Sequence, residues 1–276
     1  MLAIVLALGT SVAYGSSNFL GPLLGRRHTV SAVLLVGQAA ALAGAVALVL
    51  GSGESAPPLH GILFGLLAGA GNVLGLATFY KAATLTSVSV VSAVGATAGT
   101  ALPVLFGLAT GEQLTALQAT GIVVAMAGGV LAAQSSRGAV VTRPGVLWAL
   151  LSALGFGTLL IALPEAAEDG TAWALLDARI AVVVLLVAGI LVLRLPMRAP
   201  VRSLPLLAVP GLLLLAGTLS YAEATMSGQL SVVAVLASLA TVVTALLAFF
   251  VSGERLSRLQ RAGIVLASAG VVLLAI

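Results

Sequence analysis

The sequence predicts an all-α polytopic membrane protein of ten transmembrane helices, and three observations predict it. Of the 276 residues, 61% are apolar and 7% charged, with a mean hydropathy of +1.23; a soluble domain carries roughly 25% charged residues. The apolar residues run in stretches of about 20, the length that crosses a bilayer as a helix. The basic residues sort onto alternate connections, as the topology of membrane helices requires. The alternating ten-residue segments of a membrane β-barrel are absent. Composition excludes further classes. Disorder needs low hydrophobicity, and a chain with no Cys has neither a disulfide framework nor thiolate zinc sites. The two histidines, His28 and His60, lie too far apart in sequence for a metal cluster. No cofactor is expected.

Taken in order, the spans are 2–21, 30–50, 60–82, 86–109, 114–133, 144–163, 172–193, 204–226, 229–251 and 258–276, each ended by polar or Gly/Pro-rich residues. The opening stretch has no basic flank and no clear small-residue cleavage site, so it reads as the first span rather than a secretory signal. The longest connections, Gly51–His60 and Gln134–Arg143, are about ten residues and hold no soluble domain. The N-terminal side of the bundle is called side A and the opposite side, side B. Eleven of the twelve basic residues fall at side B: Arg26, Arg27, Lys81, Arg137, Arg143, Arg194, Arg198, Arg202, Arg255, Arg258 and Arg261. Side A has Glu54, Glu112, Glu165, Glu168 and Asp169. The positive-inside rule then places side B in the cytoplasm and both termini outside, in the cell membrane. The basic stretch from Arg194 to Arg202 is a topology signal and anionic-lipid contact rather than a nucleic-acid site.

The chain also repeats itself. Shifted by 142 residues, Phe79–Gln134 aligns without gaps on Tyr221–Ile276, with about 20 identities in 56 positions. The same offset pairs Tyr14-Gly15 with Phe156-Gly157 and Thr29 with Thr171. Residues 1–134 and 144–276 therefore form two five-helix halves, joined by a cytoplasmic linker at 135–143. Five is odd, so the halves lie in opposite orientations, as an inverted repeat of the kind many secondary transporters use.

The segments Gly111–Gly121 and Gly253–Gly263 both read G-E-x-L-x-x-x-Q-x-x-G at the start of a fifth helix. With this doubled motif the chain resembles the EamA-type branch of the drug/metabolite transporter superfamily. The resemblance implies a central cavity lined by spans 1, 3, 4, 6, 8 and 9, and export or exchange of small organic metabolites. It names no substrate. The sequence offers no His/Asp constellation for an integral membrane enzyme, so no enzymatic activity is expected. The chain has no Walker A motif, so alternating access would run without direct ATP drive; a channel or a non-transporting membrane subunit is the alternative. Membrane lipid, a small-molecule substrate and protons as coupling ion are the expected partners, with monomer and homodimer both open.

Candidate site residues follow from what a bilayer tolerates. Neutral polar and aromatic groups within the cavity spans are the candidate substrate contacts: Ser11, Tyr14 and Asn18 on span 1, Asn72 on span 3, Ser92 on span 4, Trp148, Ser152 and Phe156 on span 6, Tyr221 on span 8, and Ser238 and Thr241 on span 9. The same residue types also serve helix packing. Ionisable groups inside spans are functional candidates, and Asp177, Arg179 and Glu223 are assigned to coupling or gating. Asp177 and Arg179 stand about 200° apart on one helix, so Arg179 needs a partner from another span, and Glu223 is the economical choice. Lys81 is expected to snorkel to side B. Glu112 and Glu254 precede fifth helices and are expected to cap them. Gly65-xxx-Gly69, Gly95-xxx-Gly99 and Gly121-xxx-Ala125 are expected to allow close helix contacts. The scarcity of central charge argues for neutral or zwitterionic cargo.

Overall fold

The computed structural model describes residues 1–133, 141–253 and 257–275; within helices the side chains of residues 88, 89, 92, 93, 96 and 252 are outside that description. Helices α1 (Leu2–Gly25), α2 (Val30–Ser52), α3 (Leu59–Leu85), α4 (Val88–Ala109) and α5 (Ala116–Ala133) form the first half. The second contains α6 (Arg143–Ala167), α7 (Thr171–Leu193), α8 (Leu204–Met226), α9 (Leu230–Ser238), α10 (Ala240–Ser252) and α11 (Arg258–Ala275). Among the described residues, nine helical stretches are long and apolar enough to cross a membrane. The tenth expected span is α4, a helix of 22 residues. The chain is an all-α polytopic membrane protein.

Span nine departs from the continuous helix expected. It breaks between α9 and α10 at Leu239, where the amide of Leu239 bonds Leu236 O at 3.2 Å and that of Val242 bonds Leu239 O at 2.9 Å. These are tight three-residue steps. Ser238 Oγ donates to Val235 O at 2.7 Å and Thr241 Oγ1 to Ser238 O at 3.2 Å. Hydroxyls bonding back to nearby carbonyls compete with the helical ladder and bend it.

The starts of α5 and α11 are set by local side chains. Thr115 and Gln118 form a reciprocal capping box ahead of α5, with bonds of 3.0 and 3.1 Å. Ser257 and Gln260 repeat it ahead of α11, at 2.9 and 3.1 Å. The repeated Gln of the doubled motif thus caps the fifth helix of each half. The preceding Gly111 holds φ +99° and Gly253 φ +67°, a left-handed backbone that disfavours side chains.

The bundle is assembled through close backbone approaches. A Cβ at Gly128 of α5 would stand 2.6 Å from Ala267 Cα of α11, and one at Gly270 of α11 would stand 2.6 Å from Ala125 Cβ of α5. The two contacts interchange under the 142-residue offset. Elsewhere Gly211 of α8 packs on Gly37 of α2, and Gly155 of α6 on Gly75 of α3. Gly65 and Gly69 meet Asp177 and Ala178 of α7, as their spacing predicts. Gly95-xxx-Gly99 does not behave so. A Cβ at Gly95 meets nothing within 4 Å, and one at Gly99 would have only ordinary contact with Ala153. Gly99 thus faces α6 at ordinary contact distance, without the close backbone approach expected.

Connections pair as the ten-span order requires. At side A, His60 Nδ1 lies 3.2 Å from Asp169 Oδ2 and Ala172 N donates to Glu54. At side B, Arg198 N donates to Thr29 Oγ1 at 3.0 Å and Thr142 Oγ1 to Leu85 O at 2.8 Å.

The α5–α11 crossing is expected to be intolerant of added volume. Gly128→Ala or Gly270→Ala is expected to lower unfolding free energy by about 1–3 kcal/mol. Gly189→Ala, where a Cβ meets nothing within 4 Å, is expected to be neutral or stabilising by up to about 1 kcal/mol. Thermal unfolding of the detergent-solubilised protein measures both.

Candidate functional site

Four helices converge on one buried polar node. Arg179, eight residues into α7, is 2% exposed. Its Nη1 donates to Gln38 Oε1 of α2 at 3.1 Å, and its Nη2 donates to Thr218 Oγ1 and to Leu214 O of α8. Thr218 in turn donates to Leu214 O. From α1, Tyr14 OH donates to Thr218 Oγ1 at 3.5 Å. Arg179 Nε has no partner. The expected Arg179–Glu223 pair is not formed. Glu223 sits five residues beyond Thr218, about 7.5 Å along α8, and lines a side-A recess of about 400 Å³ with Glu54, Ser52 and Thr171. Arg179 reaches sideways to α2 and α8, where neutral oxygens receive it. Asp177 points the other way, against Gly65 of α3, with Oδ2 unpartnered.

Gln38 was absent from the sequence-derived candidates. Its signal is an amide within the apolar run of span 2, a span outside the set implied to line the cavity.

Two aromatic rings occupy related positions. Tyr14 lies against Gly217 of α8, where a Cβ would stand 2.6 Å from the ring, and Phe156 lies against Gly75 of α3, at 2.8 Å. The 142-residue offset carries each pair onto the other. The rest of the polar node is not duplicated. Gln38, Arg179 and Thr218 correspond under the same offset to Ile180, Gly37 and Leu76.

The other candidates disperse. Tyr221 is fully buried and donates to Leu160 O of α6 at 2.9 Å, so it fastens two helices and does not line open space. Ser152, also fully buried, donates to Gly75 O at 2.8 Å and joins α6 to α3. Ser11 bonds Leu8 O of its own helix at 2.8 Å. Ser238 and Thr241 are committed to the break in span nine. Trp148 and Asn18 are exposed and Asn72 is half-buried. Lys81 is exposed, as snorkelling requires. The side chain of Ser92, and Glu254, Arg137 and Arg255, lie outside the described residues.

Glu112 has a different role from the one expected. Its carboxylate accepts from the amides of Leu230 and Ser231 and from Ser231 Oγ. It therefore caps α9 in the other half, while Thr115 and Gln118 cap α5. The contact is tight: a Cβ at Gly107 would stand 2.6 Å from Ser231 Oγ. Gln229 Nε2 adds a bond to Gln113 O at 2.9 Å. A carboxylate at a helix N-terminus meets free N–H groups and the positive end of the helix dipole. This clasp joins α4 to α9 at side A.

Residues 143–276 match the family described as "EamA-like transporter family". No curated protein matches the chain. A solved crystal structure superposes with a TM-score of 0.79 at 19% identity, covering 98% of this chain and 95% of that one. At that identity the likeness is one of fold.

Removing the clasp is expected to expose the start of α9. Glu112→Ala is expected to cost about 1–3 kcal/mol, because two amides and a buried hydroxyl lose a half-buried charged acceptor. Faster hydrogen exchange at residues 230 and 231 is the signature; unchanged exchange would contradict the capping role.

Proposed function

We propose, from the match of residues 143–276 to the EamA-like transporter family, that the chain is a secondary transporter that exports or exchanges small organic metabolites by alternating access. One observation carries the reading: contacts between the halves come in pairs that interchange under a single sequence offset. Gly128 on Ala267 is matched by Gly270 on Ala125, and Tyr14 on Gly217 by Phe156 on Gly75. Two halves that make the same contacts in opposite orientations can exchange conformations, and each exchange moves the opening to the other side. We take the chain as an inverted repeat on this ground.

In this reading the Glu112 clasp closes side A, and outward opening requires α9 to leave it. The basic residues of side B support an orientation with that side in the cytoplasm of a cell membrane. Tyr14, Phe156, Asn18 and Asn72 are the groups offered to cargo, with Ser92 included on its sequence position. Arg179, Asp177 and Glu223 are the groups offered to coupling or gating, with protons as coupling ion. Glu54 and Glu223 at the side-A recess keep carboxylates near the outer entrance. The cargo is amino-acid-like or drug-like, and neutral or zwitterionic.

Counterflow in proteoliposomes tests the reading with pooled amino acids as the first probes. Saturable exchange, driven by unlabelled solute on the opposite side, is the expected result. Linear, unsaturable flux would replace the transporter with a channel. No flux of any solute tried, including drug-like probes, would leave a non-transporting membrane subunit.

A further inference from the structure

The buried node around Arg179 is asymmetric in a way that the scaffold does not require. Its counterpart in the other half is built from Phe156, Ile180, Gly37 and Leu76. That half folds with a glycine where Arg179 stands, so helix packing alone does not call for the guanidinium. A charge inside a bilayer is costly unless it is matched. Arg179 is bonded to an amide oxygen, a hydroxyl and a carbonyl, all neutral. Among the described residues no carboxylate reaches it, and its Nε is buried without a partner. Asp177 shares the helix but turns toward α3. The one link toward α1 is Tyr14, whose hydroxyl bonds Thr218, the residue that also receives Arg179.

We propose that Arg179, held by Gln38 and Thr218 behind Tyr14, is the specificity residue that selects cargo carrying a carboxylate and rejects organic cations. The proposal rests on the transporter reading and deepens it. One guanidinium matches one negative charge, which fits a monocarboxylate better than a phosphate dianion. A zwitterionic amino acid satisfies it through its carboxylate, with Tyr14 tied to the node through Thr218. Charge-assisted hydrogen bonds are roughly twice as strong as neutral ones, so the guanidinium favours the carboxylate over its neutral amide. An amino-acid amide keeps the amine and side chain but carries net positive charge, which the same guanidinium repels.

The test compares neutral L-amino acids with the corresponding amides, on the full chain, by thermal stabilisation in detergent and by counterflow in proteoliposomes. Wild type is expected to prefer the acids by about tenfold or more. Arg179→Gln is expected to abolish the preference, while Arg179→Lys, which keeps the charge, retains part of it. Tyr14→Phe is expected to fold, since Phe156 fills the equivalent place on Gly75, and to weaken the preference. That variant decides the matter if Arg179→Gln does not purify as a monodisperse protein. A folded Arg179→Gln that keeps the preference overturns the proposal, as does a wild type that takes acids and amides alike. With Arg179→Gln unobtainable, an unchanged preference in Tyr14→Phe does the same. Saturable exchange indifferent to the carboxylate removes Arg179 and leaves the transporter. Stabilisation by acids that depends on Arg179, without exchange, does the reverse. Neither effect removes both.

Discussion

Close backbone approach between helices is the constraint on which the rest of this structure depends. Lipid tails are as apolar as the helices, so no hydrophobic force drives helix against helix in a bilayer, and close van der Waals packing with a few interhelical hydrogen bonds does it instead. The chain meets this with glycine: Gly128, Gly263 and Gly270 at the α5–α11 crossing, Gly37 on Gly211, and Gly155 on Gly75. Any side chain at these points would separate the axes. The aromatic rings of Tyr14 and Phe156 use the same device, each lying on the bare backbone of a glycine across the interface. The Gly128–Ala267 and Tyr14–Gly217 contacts recur at the 142-residue offset as Gly270–Ala125 and Phe156–Gly75, so at these points a constraint met in one half is met in the other by the same residues or close equivalents.

Against that regular scaffold the departures from symmetry stand out. Arg179 occupies the place of Gly37, and the polar groups that hold it have apolar counterparts. The break at Leu239 divides span nine, whereas span four is assigned as one helix from Val88 to Ala109. The Glu112 clasp joins the halves at side A through the start of α9. A repeat that diverges at these places while its helix crossings stay matched has kept its framework and changed its chemistry.

Much of the framework was legible in the sequence, because it is written in long windows. Ten apolar stretches, the sorting of basic residues and the 142-residue offset each draw on many positions, and the same-side pairing of connections agrees with the span order. What escaped was azimuth. A helix apolar all round gives no sign of which face meets which neighbour, so Arg179 was assigned to Glu223 when its partners are Gln38 and Thr218. Tyr221 and Ser152 looked like lining and proved to be fasteners between helices. Glu112 was read locally, as the cap of the next helix, although the S/T-x-x-Q signature of Thr115 and Gln118 already supplied that cap. The opposing helix end it serves is remote in sequence. The break at Leu239 was hidden because its hydroxyls, Ser238 and Thr241, resemble ligand contacts when the backbone they bend is unseen.

The central claim is that the two halves alternate, so that side A opens as side B closes. The chain has no Cys, which permits paired spin labels at chosen sites without other changes. Distances between positions 113 and 229 at side A, and between 87 and 257 at side B, report the two seams together in a lipid bilayer. The account predicts two populations at each pair, changing in opposite directions when the equilibrium is shifted by pH or solute. A single fixed distance at both pairs, or seams that widen together, would contradict it.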